Sequence, residues 1–167
     1  MGKSEQGVTN NRYSVIPRVL IFLFDNNGRV LLIRGVKDKK TWAEKINGVG
    51  GHVEIGESIR TAAEREFFEE TGLTCKNMLF CGQIIVDTGA DPGIALFVFK
   101  AEQHTGEIIN SKEGSIDWYD METLNTEELV SDLPVLLQKV SLCHNDSRPF
   151  WGYYYYDESD ELIMVFN

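Results

Sequence analysis

Between Ile59 and Leu73 the chain reads as one helix whose packed face changes chemistry halfway along. Ile59, Ala62 and Ala63 recur at helical spacing and form an apolar stripe. Steps of three and four along that face then reach Glu66, Glu69 and Glu70, and after them Leu73. Stacked like charges repel, and a buried carboxylate without a partner costs on the order of several kcal/mol. Such a face is tolerable where a cation neutralises it. Clustered carboxylate oxygens are hard ligands, suited to Mg²⁺ or Mn²⁺ rather than zinc. Ser58 is a suitable N-cap and Gly72 a suitable stop, so the helix has readable bounds.

The segments around this helix are strand-like. Arg18 to Phe24 and Val30 to Arg34 are β-rich runs separated by DNNGR, and Asn27-Gly28 predicts a tight hairpin. Lys37 to Lys45 reads as a charged loop. Asn47 to Gly51 holds three glycines, which lets backbone approach a ligand closely. Asn77 to Val86 and Ile94 to Ala101 read as strands, Ser115 to Tyr119 as a short one. Pro134 opens a second helix reaching about Leu142. Gly152 to Tyr156 and Leu162 to Phe166 suggest a closing hairpin, with alternate tyrosines of the run 153–156 packed on the core. Strands with two helices interspersed imply an α/β (α+β) fold, a mixed sheet between helices. Residues 1–14 read as a flexible polar arm and 15–167 as a single domain.

The stretch Gly51, Glu57, Arg65, Glu66, Phe67, Glu69, Glu70, Gly72 and Leu73 resembles the Nudix box at each fixed position. The resemblance, covering roughly Arg18 to the carboxyl terminus, implies the Nudix α/β/α sandwich. It also implies a hydrolase that cleaves a nucleoside diphosphate linked to another group, by attack of water on phosphorus with Mg²⁺ (or Mn²⁺) as cofactor. On the matching positions Glu66 and Glu70 are metal ligands, and the carbonyl of Gly50 adds an oxygen. Glu69 is a ligand or the general base. Arg65 points away from the glutamate face and orients its neighbours by ion pairing. Glu57 accepts backbone N–H groups and holds the loop. Glu113, in SKEGSIDWYD, is the candidate for a further carboxylate contributed from a distant loop.

Outside the box, INGVGGHVEIGES, PVLLQKV and PFWGYYYYDES resemble the MutT-type 8-oxo-dGTP diphosphatase branch. That implies an (oxidised) purine nucleoside triphosphate cleaved to the monophosphate and pyrophosphate. Asn47 is the candidate for reading the purine edge, since an amide both donates and accepts. The alternatives are ADP-ribose, a dinucleoside polyphosphate, or a nucleotide-sensing module without turnover. The branch's aspartate pair before the second helix, which recognises the oxidised base there, is replaced here by Glu127 and Glu128, with Asp132 just beyond. Arg34, at a strand end, is a candidate phosphate contact.

A net charge of −10 disfavours nucleic acid and anionic membrane as partners, and leaves a small-molecule nucleotide. No apolar run is long enough to span a bilayer, and no signal-peptide pattern precedes the domain. Cys75, Cys81 and Cys143 show no metal-ligand spacing and read as free thiols in a reducing cytoplasm. The histidines, His52, His104 and His144, read as surface residues. A monomer or a homodimer fits the chain.

Overall fold

The first hairpin pairs β1 (Val15–Phe24) with β2 (Arg29–Gly35), with Leu23 opposite Leu31. Its turn follows from Asn27-Gly28: Gly28 adopts φ +79°, and the Asp25 carboxylate accepts the N–H groups of Asn27 and Arg29 at 2.8 Å each. Val19, Ile21, Leu23, Leu31 and Ile33 face one side of the sheet. Leu20, Phe22, Val30 and Leu32 face the other. Both sides are covered, which is why these strands are almost continuously apolar.

The chain continues through β3 (Ile46–Asn47), β4 (Val49–His52), α1 (Ile59–Thr71), β5 (Thr74–Val86), β6 (Gly93–Thr105), β7 (Gly114–Asp120), α2 (Leu133–Ser141), β8 (Phe150–Tyr156) and β9 (Leu162–Phe166). This computed structural model describes Gly7 and residues 12–38, 42–109 and 111–167. The sheet order is β3-β2-β1-β6-β5-β8-β9, with β4 also pairing β1 and β7 also pairing β2. The β1·β6 and β5·β8 pairs are parallel and the others antiparallel, so the sheet is mixed. On one face α1 buries Ala62, Ala63 and Phe67. On the other α2 buries Leu133, Leu136, Leu137 and Val140. Each fully buried large apolar side chain contributes about 1.5–3 kcal/mol. Among the described residues no helix is long and apolar enough to cross a membrane.

Several details differ from the sequence reading. The buried stripe of α1 runs through Ala63 to Phe67, Glu70 and Thr71. At 100° per residue Phe67 and Thr71 lie to one side of the Ile59, Ala62 and Ala63 face, whereas Glu66 stays near its middle and is only half-buried. The glycine-rich segment, to which the sequence reading gave no element, runs through the end of β3 and most of β4. Strands β5 and β6 are longer than predicted because they pair with each other beyond their apolar cores. Of the tyrosine run only Tyr154 is buried; Tyr156 stays exposed at the strand end. The three cysteines are free. The middle of the charged loop and most of the arm lie outside the described residues. At the arm's end the Ser14 N–H donates to Asp91 at 3.0 Å.

Candidate active site

Helix α1 is bounded as its caps dictate. The Ser58 hydroxyl accepts the Thr61 N–H at 3.1 Å. At the far end Gly72 takes φ +73°, a left-handed conformation natural to glycine, and its N–H closes on the Phe68 carbonyl. Between these caps the three glutamates occupy different environments. Glu70 is 5% exposed and its carboxylate accepts the Gly50 N–H at 3.3 Å. Glu66 is half-buried, whereas the Glu69 side chain is 56% exposed.

Arg65 does not point away from this group. Its guanidinium spans the site, donating to Glu57 Oε1 at 2.7 Å, Glu66 Oε1 at 2.9 Å, Glu69 Oε2 at 3.1 Å and the His52 carbonyl at 2.9 Å. Helical position fixes only the direction of Cβ, and a long arginine reaches across to the neighbouring strand. Glu57 in turn accepts the Glu54 N–H at 2.6 Å and so fixes the loop before the helix. The Arg65 hydrogen bonds and that amide hold the Glu57 carboxyl below the ordinary glutamate range. The Glu66 carboxyl moves the other way: burial pushes it up, Arg65 offsets part of this, and the charges of Glu69 and Glu113 add to it. The site is therefore short of positive charge.

Glu113 reaches the helix by a traceable route. The segment between β6 and β7 crosses the end of α1, where the Ile109 N–H donates to the Thr71 carbonyl at 2.9 Å. The Glu113 carbonyl then accepts the Val36 N–H at 3.1 Å. As a result Glu66, Glu69, Glu70 and Glu113 line one recess with Ser111 and Lys112. Gly51 lies against Glu66, and a Cβ there would stand 2.3 Å from the Glu66 carboxylate carbon. The Gly50 N–H is spent on Glu70, and the carbonyl of a strand residue leaves by the same edge as its amide, so it opens toward the same helix. The donors are all oxygen and suit a hard divalent cation. Among the described residues no three acidic, histidine or cysteine side chains converge on one point, and Arg65 is ion-paired with both Glu66 and Glu69.

Glu113 also borders a second depression, a cleft of about 370 Å³ on the sheet face away from α1. Its floor includes Leu20, Leu96 and Ile94; Asn47, Arg18, His52 and Asp132 stand around it. The Asn47 side-chain Oδ1 accepts the Gly48 N–H at 2.8 Å, so the turn role and a place in the cleft coexist. Asp132 precedes α2 but makes no side-chain cap, and burial raises its carboxyl. Sequence reasoning passed over Asp132 and Arg18 as cleft residues. The available signal was a lone charge inside the apolar run VIPRVLIFLF.

Arg34 is not brought to this cleft. It is ion-paired with Glu128 and donates to the Glu44 carbonyl at 3.1 Å. Lys45 donates to the Glu127 backbone carbonyl at 2.6 Å, and neither Glu127 nor Glu128 lines the cleft. His52 is exposed, as read, but shares the cleft wall.

Comparison with known proteins identifies the family and the fold. The NUDIX domain family matches residues 15–140. An oxidized purine nucleoside triphosphate hydrolase of Danio rerio is 33% identical over 141 residues, covering 81% of this chain and 84% of the relative. The protein of the same name from Mus musculus is 29% identical over 140 residues, covering 81% and 83%. A solved Mutator MutT protein from Bacillus halodurans superposes with a TM-score of 0.72 at 26% identity, covering 92% of this chain and 98% of that one. With the box on α1 and the mixed sheet between two helices, the chain belongs to the Nudix hydrolase family.

Proposed function

We propose that the protein is a Mg²⁺-dependent pyrophosphohydrolase that cleaves an (oxidised) purine nucleoside triphosphate such as 8-oxo-dGTP to the monophosphate and pyrophosphate. The observation that carries this reading is the shared wall: Glu113 borders both the carboxylate recess and the apolar cleft. A flat base in the cleft therefore has its phosphates directed at the recess. The names of the fish and mouse relatives support a purine substrate.

Nudix hydrolases generally use divalent metals. The residues that would hold the ion are Glu66, Glu70, Glu69 and the Gly50 carbonyl. When bound, such an ion neutralises phosphate charge and lowers the pKa of a coordinated water. The chain's own residues do the rest. Arg65 and Glu57 fix the loop and the helix relative to each other. Leu20 and Leu96 exclude water from one face of the base, and Asn47 offers its amide to the purine edge. Glu69 and Glu113 are the two candidate bases for the attacking water, which must approach phosphorus in line with the leaving group, pyrophosphate or the nucleoside monophosphate.

The test is pyrophosphate and phosphate release from 8-oxo-dGTP, dGTP, the other deoxynucleoside triphosphates, ADP-ribose and a diadenosine polyphosphate, with and without Mg²⁺, using Glu69→Gln as control. Metal-dependent pyrophosphate release highest for 8-oxo-dGTP supports the reading. A preference for ADP-ribose or the dinucleotide would replace the substrate. No turnover of any of them would point to a nucleotide-sensing module.

A further inference from the structure

Arg18 stands where β1 enters the cleft. Strand residues alternate faces, so Arg18 leaves on the side of Leu20, away from α1. It lies beside Leu96 of β6 and across from His52 of β4. Its Nε is buried and has no hydrogen-bond partner. Arg29, Arg34, Arg60 and Arg65 are each paired with a carboxylate. Arg18 is in none of the ion pairs of the described residues, in a chain of net charge −10. Buried donors are nearly always satisfied, and leaving one unmet is unfavourable. Among the described residues that line the cleft, Arg18 is also the one fixed cation.

The strand register says which end of the cleft it serves. Leu20 lies opposite Gly50, whose N–H meets Glu70, and Arg18 lies two positions further on, opposite His52. The His52 carbonyl is held by Arg65, the hub of the glutamates. Asn47 and Asp132 lie in the other direction, beyond Gly48 and beside the Ile46–Leu129 bridge. Arg18 thus belongs to the phosphate end rather than the base end.

We propose that Arg18 is a substrate-binding residue that holds the phosphate chain of the nucleotide on the cleft wall facing the carboxylate recess. This rests on the nucleotide reading above. A planar guanidinium matches two phosphate oxygens at once, and it supplies fixed positive charge where the surrounding side chains are acidic. Substrate in turn satisfies the orphaned Nε.

The experiment is isothermal titration, with Mg²⁺, of a purine nucleoside triphosphate carrying a methylene group at the cleaved bridge, and of the corresponding nucleoside by competition. Wild type, Arg18→Gln and Arg18→Lys are compared, with thermal midpoints recorded. Arg18→Gln is expected to weaken the triphosphate on the order of tenfold to a hundredfold while the nucleoside stays within about twofold. Arg18→Lys is expected to keep part of the triphosphate affinity, since it keeps the charge and loses the fork. An equal loss for nucleoside and triphosphate, or no loss for either, overturns the proposal. Should Arg18→Gln fail to fold, the same ratio measured on Arg18→Lys decides. If wild type binds only another nucleoside diphosphate derivative, the purine triphosphate reading fails, and Arg18 is judged on that ligand against its nucleoside. If wild type binds the triphosphate and Arg18→Gln matches it, only the role of Arg18 fails.

Discussion

Adding one methyl group at Gly51 should disable the site while sparing the fold. A Cβ there would lie 2.3 Å from the Glu66 carboxylate carbon and 2.4 Å from each of its oxygens. Ordinary carbon–carbon contact begins near 3.5 Å, so the carboxylate must retreat by about 1.2 Å. The obstacle is the end of a glutamate side chain, which can swing, so the stability cost sits at or below the lower end of the ~1–3 kcal/mol typical of overpacking. Function has no such freedom: a displacement of about 1 Å in a positioned group costs roughly a hundredfold in rate. Gly51→Ala should therefore lower kcat about a hundredfold and raise the Mg²⁺ concentration for half-maximal activity, with a nearly unchanged thermal midpoint. Metal-dependent pyrophosphate release and differential scanning fluorimetry on the same preparations measure both. A variant with wild-type turnover would refute the place given to Glu66. A variant that is inactive because it unfolds would refute the claim that the clash is cheaply relieved.

Other outcomes follow from neighbouring residues. Glu69→Gln and Glu70→Gln should each lower turnover at least about a hundredfold with the fold intact, checked by steady-state kinetics and circular dichroism. Asn47→Ala should raise KM for purine substrates more than it lowers kcat, and an unchanged purine-to-pyrimidine preference would remove it from base reading. Gly72→Ala should act oppositely to Gly51→Ala. It strains a left-handed cap and sets a Cβ 2.7 Å from the Glu107 carbonyl, so the thermal midpoint should fall while kcat at 25 °C holds, at a cost of at least about 1 kcal/mol. Glu57, held below its ordinary 4.5 by Arg65, stabilises the fold fully above that pH and loses its contribution as pH falls through the lower folded value. The thermal midpoints of wild type and Glu57→Gln should accordingly converge in acid, and a constant gap from pH 7 to 3 would rule this out.

What could be read from sequence was what local spacing encodes. The bounds of α1 follow from Ser58 and Gly72, and the first hairpin from Asn27-Gly28. The mixed sheet between two helices follows from the order of the elements. Pairing partners are not local, and there the reading thinned. Asn47–Gly51 carried no strand signal because glycines are poor strand formers, yet β4 is held by β1 and by α1. Arg65 was aimed by its helical angle alone, which ignores its reach to His52. Arg34 looked available because a strand-end arginine usually is, and its partner Glu128 lies far along the chain. Asp132 was read only as a charge just beyond Glu127 and Glu128, and the fold places it among the residues that border the cleft.

The parallel pairing of β1 with β6 sets the order in which this site comes into being. Val15 and Gly93 are neighbours across the sheet, and between them in the chain lie β2, β3, β4, α1 and β5. The whole Nudix box is thus enclosed in one long loop that closes only when β6 docks. Closing such a loop costs entropy before any contact repays it, so non-local pairing of this kind is slow. During synthesis the glutamates emerge well before the strand that seals the sheet beside them. A ribosome-bound chain that stops short of β6 carries the complete motif without a competent centre, and so acquires hydrolytic capacity late, together with its finished core.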